Sequence, residues 1–363
     1  MSPNLAIDGT LPSDPYTGWQ NRNPHRRAVG YLCSYVPEEL IHAAGFTPIR
    51  IMPNTAPAMR ADAHLQAYTC SMARSCLDQA LAGKLDFLAG VVFAHTCDTM
   101  QGLSDIWRQS LPHRYVETVV GPVALNSPHA RRYTVAELRR FAGSIEKHFG
   151  DPITDDALRA SIRVYNGRRR AMAHFNAQRE SFTVVEWFNV MNAALLMAPE
   201  EFSVPAPNRA RPAESSSKIR LAIVGSTIDE PALPQILDAA DAQVVADDFC
   251  NGARYFDTLV AEEGDPFEAL AGRELTRLPC PCKHRDLNKR ENHLLKMVQE
   301  HRVQGVIFYL KKFCDPHAWD YVPLAAVLDR VGIPHLQLEA EQVSAMGQTR
   351  VRVEAFLEMI LGI

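Results

Sequence analysis

The chain has no apolar stretch of the length a signal peptide or membrane span requires, and Met1 to Gln20 is polar and rich in Pro, Asp and Gly. A cytoplasmic protein without membrane association is expected. It also lacks a basic surplus: the formal net charge is -4, which removes the electrostatic footprint of a dedicated nucleic-acid binder. No CxxC…CxxC pattern and no Cys-x2-Cys-x2-Cys run is present, so neither a zinc ribbon nor a ferredoxin-like site is supported. The GxxxxGK(S/T) glycine loop is missing as well, so ATP chemistry of that kind belongs elsewhere.

What the chain does have is size and thiols. Its 363 residues suffice for two cores at roughly 100–200 residues per domain. Its eight cysteines, in a reducing compartment, read as thiols or metal ligands rather than disulfides.

A Pro-, Ala- and Ser-rich run from Val204 to Lys218, VPAPNRARPAESSSK, has no apolar period and reads as an exposed linker. On either side, short β-branched runs alternate with amphipathic stretches, the pattern of parallel α/β sheets. In the first half AVGYL, TPIRIM and DFLAGVVFAH are expected strands, with helices at PEELIHAAG and over roughly Leu65 to Ala82. In the second half the strands are Ile219 to Val224, AQVVADDF and VQGVIFYLKKF, and the helices are PALPQILDAAD and Lys289 to His301. Gly90-Val91-Val92-Phe93…Cys97-Asp98 parallels Gly305-Val306-Ile307-Phe308…Cys314-Asp315, which relates the two halves. The expected architecture is two related Rossmann-like or flavodoxin-like α/β lobes with an intervening helical segment. An N-terminal extension covers 1–26, the first lobe 27–130, the helical segment 131–203, the linker 204–218 and the second lobe 219–363. Trp187 and Phe188 read as helix-packing core, and Arg168-Arg169-Arg170 as a solvated helix face.

Three cysteines share one address. Cys33 follows AVGYL, Cys97 follows DFLAGVVFAHT, and Cys314 follows VQGVIFYLKKF; each stands in a strand-to-helix turn. In a parallel α/β sheet these turns gather at the carboxyl ends of the strands, where ligands bind. A helix N-terminus adds partial positive charge and free N–H groups, which stabilise thiolates and an anionic cluster. Three thiolates would leave one iron of a cubane open. Among the other five, Cys70 and Cys76 read as helix packing, and Cys250 again ends a strand. Cys280 and Cys282, beside His284, form a Cys-x-Cys pair able to bind metal or extend a cluster. His95 and His317 are candidate proton donors, while Lys311 and Lys312 read as solvated cations within reach of an anionic ligand.

GYLCSYVPEELIHAAGFTPIRI, DFLAGVVFAHTCDTMQGLSDIWR, VVADDFCNGARYF, PCPCKH, GVIFYLKKFCDPHAWDY and RVRVEAFLEMI together resemble the benzoyl-CoA reductase and 2-hydroxyacyl-CoA dehydratase family, over about Arg27 to Leu361. The resemblance implies an iron–sulfur subunit that pairs with a similar subunit, receives electrons from an ATP-hydrolysing iron–sulfur activator and serves an acyl-CoA substrate. It carries the family's cluster cysteines onto Cys33, Cys97 and Cys314, with a [4Fe-4S] cluster. Members with a double-cubane [8Fe-9S] cluster use further cysteines, and Cys70, Cys250 and Cys280 leave that variant open. Cys282 stands where a non-cysteine is expected in PCP-x-KH. The implied activities are ATP-dependent reduction of benzoyl-CoA, dehydration of a 2-hydroxyacyl-CoA through a ketyl radical, and electron transfer by a double cubane. A cluster-free scaffold subunit is the reading from outside these classes.

Overall fold

The computed structural model describes residues 15–54, 56–111, 115–205, 218–228, 231–283, 286–341 and 346–362. Eight strands occur among them: β1 Ala28–Leu32, β2 Thr47–Arg50, β3 Leu88–Ala94, β4 Tyr115–Val119, β5 Ile219–Gly225, β6 Ala242–Asp248, β7 Gly305–Lys311 and β8 His335–Ala340. The helices are α1 Pro15–Arg22, α2 Glu38–Ala43, α3 Ser71–Leu81, α4 Asp98–Ser110, α5 Ala130–Phe149, α6 Asp155–Ala177 and α7 Val184–Leu196. They continue with α8 Ala232–Ala239, α9 Ala253–Phe256, α10 Pro266–Thr276, α11 Leu287–Glu300, α12 Asp315–Val331 and α13 Met346–Leu361.

The strands form two four-stranded sheets with every pairing parallel, ordered β2-β1-β3-β4 and β6-β5-β7-β8. The expected two-lobed α/β architecture is therefore present, and the lobes share one topology. Two strands escaped the sequence reading, β4 and β8. Both are edge strands whose residues are largely half-buried, so their sequences YVETV and HLQLEA carry little of the apolar run that marked the central strands.

Period-two alternation sends each central strand into two cores. Leu32, Val91 and Phe93 face α3 and α4, whereas Val29, Tyr31 and Val92 face α2, α5 and α10. In the second sheet Leu221, Ile223 and Ile307 face α7, α8 and α13, whereas Val224, Val306 and Phe308 face α11 and α12. Trp187 and Phe188 of α7 lie in the second sheet's core, as their apolar character indicated. The helix α10, which follows β6 in the chain, covers the first sheet through Phe267, Leu270 and Ala271. The lobes are thereby laced together. The linker reading of 204–218 falls for the most part outside the described residues.

One expectation is corrected. Arg168 and Arg169 are not solvated: both are buried where α6 runs between α2 and α9, and only Arg170 is exposed, pairing with Glu262 at 3.0 Å. Arg168 meets Glu38 at 2.7 Å and Arg169 meets Glu39 at 2.6 Å. Tyr31 and Tyr255, one from each lobe, donate their hydroxyls to the two oxygens of Glu38 at 2.7 Å. A run of three arginines looks like a surface feature until an acidic pair from a neighbouring helix is brought against it.

A second buried ionic knot ends β6. Asp248 accepts from Arg290 at 3.1 Å and is ion-paired with Arg254, all three being buried. Burial alone would raise the carboxyl's pKa, but Arg254 and Arg290 outweigh it and hold the group at about 2. Because the folded value lies below the ordinary 3.8, this carboxylate stabilises the fold at neutral pH, and the contribution is lost as pH falls from about 4 to about 2.

Two outcomes are expected. Removing one partner of a buried ion pair leaves an uncompensated charge, so Arg168→Ala should cost about 3–5 kcal/mol in urea unfolding, while Arg170→Ala should stay within about 1 kcal/mol; equal effects would contradict the buried knot. Asp248→Asn should lose about 2 kcal/mol at pH 7. Its deficit relative to the wild type should narrow between pH 4 and pH 2, and a constant deficit would contradict the assignment.

Candidate metal centre

In an order such as β2-β1-β3-β4, the direction in which successive strands are added reverses between the two central strands, and the crevice beyond their carboxyl ends is the natural ligand site. Cys33 lies just past the end of β1 and Cys97 just past the end of β3. In the second lobe Cys314 follows β7 and Cys250 follows β6. Cys97 and Cys314 are the residues immediately before α4 and α12, with Asp98 and Asp315 in the first turns. Cys33 itself has φ +78 and Phe313, the residue before Cys314, φ +63. Such left-handed backbone costs a non-glycine residue about 1 kcal/mol or more and gathers at functional sites. The chain accepts it on both sides of this crevice.

The carboxyl ends of the two sheets meet, and seven of the eight cysteines lie in electrostatic reach of one another there. Cys97 feels Cys70, Cys314 and Cys33; Cys33 feels Cys280; Cys250 feels Cys280 and Cys33; Cys282 feels both Cys280 and Cys314. All three cysteines singled out by their position in the sequence are in this wall. The eighth, Cys76, is fully buried, with its sulfur 4.0 Å from the Ile51 carbonyl, and serves packing as expected.

Cys70 departs from the sequence reading. The expected helix from Leu65 begins only at Ser71, which makes Cys70 its N-cap rather than an interior residue and turns the thiol toward Cys97 and Cys314. Lys311 is likewise corrected: it is buried, with its ammonium 5.6 Å from the Tyr309 ring and close enough to act on Cys70. Lys312 is exposed and paired with Glu341. His284 lies outside the described residues.

His317 sits one turn into α12, buried, with Nδ1 3.2 Å from the Cys314 sulfur and 3.4 Å from the Cys282 sulfur. Cys280, Cys282 and His317 present donor atoms within 4.8 Å of one another, a grouping able to hold a metal ion. His95 does not join this wall. It lines a small cavity of about 30 Å³ with Tyr35, Thr96, Glu137, Glu274 and Lys283, of which Thr96 and Lys283 are chain neighbours of Cys97 and Cys282.

Burial pushes the Cys97 thiol up to about 12 and the Cys70 thiol to about 11, and raises Cys33 as well. Hydrogen bonding from Cys282, with His317 adding to it, holds Cys314 well below the ordinary thiol range. Burial disfavours the His317 imidazolium, yet the Cys314 sulfur outweighs it and raises the histidine overall. A bound metal ion would supply the positive charge that ionises such packed thiols.

Arginines missed by the sequence reading frame the wall. Arg254 is buried, 3.7 Å from the Cys250 sulfur and 3.5 Å from the Cys280 sulfur. Arg277 donates to the Ser34 carbonyl at 2.8 Å and to the Arg254 carbonyl at 3.0 Å, tying the loop of Cys33 to the second lobe. Arg50 and Ser34 both donate to the Cys250 carbonyl, at 3.1 and 2.7 Å. The Tyr35 hydroxyl accepts from the Cys280 amide at 3.0 Å. The only local sequence signal was that Ser34, Arg50 and Arg254 stand beside strand ends.

Known proteins agree with the motif-level resemblance. The family model for the D-component of 2-hydroxyglutaryl-CoA dehydratase matches residues 33–360. A benzoyl-CoA reductase subunit of Thauera aromatica is 29% identical, over 94% of this chain and 93% of its own. The beta subunit of (R)-phenyllactyl-CoA dehydratase from Clostridium sporogenes is 26% identical over 92% of each. The beta subunit of (R)-2-hydroxyglutaryl-CoA dehydratase from Acidaminococcus fermentans is also 26% identical, over 92% and 93%. With two like α/β lobes, a wall of thiols between them and a family match over nearly its whole length, the chain belongs to the 2-hydroxyglutaryl-CoA dehydratase D-component family, among the subunits of acyl-CoA reductases and dehydratases.

Proposed function

We propose that this chain is the iron–sulfur subunit of an ATP-dependent, low-potential acyl-CoA reductase of the benzoyl-CoA reductase type. The observation that carries the reading is the meeting of Cys33, Cys97 and Cys314, from three distant parts of the chain, in one half-buried wall of thiols. Soft thiolates suit an iron–sulfur cluster, and buried arginine beside them suits its negative charge. In this reading Cys33, Cys97 and Cys314 hold the cluster, which when bound supplies one-electron transfer at low potential.

The chain's own residues would do the rest. His317 donates toward the ligand sulfurs, and hydrogen bonds of that kind tune cluster potential. Arg254 adds fixed positive charge beside the thiols. His95, which lines the small cavity beside the wall, would give a proton to an acyl group brought against it, and Lys283 in the same lining would offer positive charge to a thioester oxygen. The partners in this reading are a similar subunit, an ATP-hydrolysing iron–sulfur activator and the acyl-CoA.

A specific observation favours a second reading. Three ligands account for fewer than half of seven converging thiols, and Cys70, Cys250 and Cys280 suit a double-cubane electron-transfer protein of the same family.

Iron and sulfide analysis of the anaerobically purified chain separates these. About four irons per chain supports the single cubane and about eight the double; absence of iron, or iron unchanged by Cys97→Ser, contradicts both. Assay of the complete complex with ATP and a strong reductant should show turnover of benzoyl-CoA, and turnover of a 2-hydroxyacyl-CoA alone would reassign it as a dehydratase subunit.

A further inference from the structure

Cys282 has a place of its own in the thiol wall. Of the other six thiols, Cys70, Cys97 and Cys314 lie together and so do Cys33, Cys250 and Cys280, with Cys97 and Cys33 also within electrostatic reach of each other. Cys282 lies beside one member of each: its sulfur is within 4.8 Å of the Cys280 sulfur, and it shares His317 Nδ1 with the Cys314 sulfur. It stands where the two groups join.

The loop that carries it is held on several sides. Pro279 and Pro281 flank Cys280, so their rings restrict the backbone leading to Cys282. The Pro279 carbonyl accepts from buried Arg290 at 3.0 Å, the Cys280 amide donates to Tyr35 at 3.0 Å, and the Lys283 amide closes a turn onto the Cys280 carbonyl at 3.0 Å. A loop fixed this way loses little freedom when its thiols bind a metal.

A second observation points to a bound group. His317 is 3% exposed, and its Nδ1 is shared between the Cys282 and Cys314 sulfurs, while its Nε2 is buried without a hydrogen-bond partner among the described residues. A buried ring nitrogen left unsatisfied loses its hydration without a hydrogen bond in return. The Cys280 and Cys282 sulfurs and the histidine nitrogen also lie within 4.8 Å of one another.

We propose that Cys282 is an iron ligand of this chain, supplying a protein thiolate to the cluster between Cys280 and Cys314, with His317 as the residue that positions it. The inference rests on the iron–sulfur reading above. Its consequence is functional: a thiolate there closes the coordination site that three-cysteine ligation leaves open, so this chain relays electrons rather than binding a substrate atom at iron.

The test uses the full chain, purified anaerobically and enriched in 57Fe, as wild type, Cys282→Ala and Cys282→Ser, each checked for an unchanged melting transition. With carbon-13 cyanide as the probe, pulsed EPR of the reduced wild type should show no carbon-13 coupling. The alanine variant should either gain that coupling at unchanged iron content or lose iron while remaining folded. Equal iron and equal cyanide response in wild type and variants would overturn the ligand role and leave the iron–sulfur reading standing. A wild type without iron would overturn both. His317→Gln should shift the EPR g values without loss of iron, and unshifted values would remove its positioning role.

Discussion

The protein depends on charged side chains buried between its two sheets. Neither lobe alone assembles the thiol wall, since Cys33, Cys70 and Cys97 come from one and Cys250, Cys280, Cys282 and Cys314 from the other. Besides the packing of α10 on the first sheet, what fixes the halves against each other is Tyr255 on Glu38, which Arg168 also holds, Arg277 bridging the Ser34 and Arg254 carbonyls, and Arg50 on the Cys250 carbonyl. Buried ion pairs are weak as sources of stability, because desolvation offsets most of their attraction. Their value here is directional. Each hydrogen bond fixes a distance between the lobes, and the spacing of sulfurs from opposite lobes follows from those distances.

The same arginines give the crevice its electrostatic character. An apolar interface would join the lobes equally well but would disfavour any anion between them. Arg254 lies against two thiols and is itself held by Asp248, which Arg290 shares. The positive charge therefore cannot swing away from the sulfurs without breaking a buried pair. Two helix N-termini, following Cys97 and Cys314, add their unpaired N–H groups to the same region.

Much of this was legible in the sequence, for reasons tied to particular residues. The central strands AVGYL, GVVFA and GVIFY are fully or nearly fully buried, so their apolar runs marked them plainly. The strand-end rule then picked out Cys33, Cys97 and Cys314 without reference to any family. The rule failed where a side chain's environment is made by distant chain. Arg168 looks solvated until Glu38, 130 positions away, meets it. Cys70 reads as helix interior because nothing local marks Ser71 as the first helical residue. Arg254 and Arg277 act through carbonyls and sulfurs brought in by folding, and such partners leave no local pattern.

The central claim is that strand-end thiols of both lobes hold one iron-containing group. Anomalous diffraction at the iron absorption edge from anaerobically grown crystals tests it directly. The account predicts strong iron peaks in the crevice, bounded by Cys33 and Cys97 on one side and Cys314 on the other. A fully loaded protein whose iron peaks lie elsewhere, or at the sulfurs of one lobe alone, would contradict it.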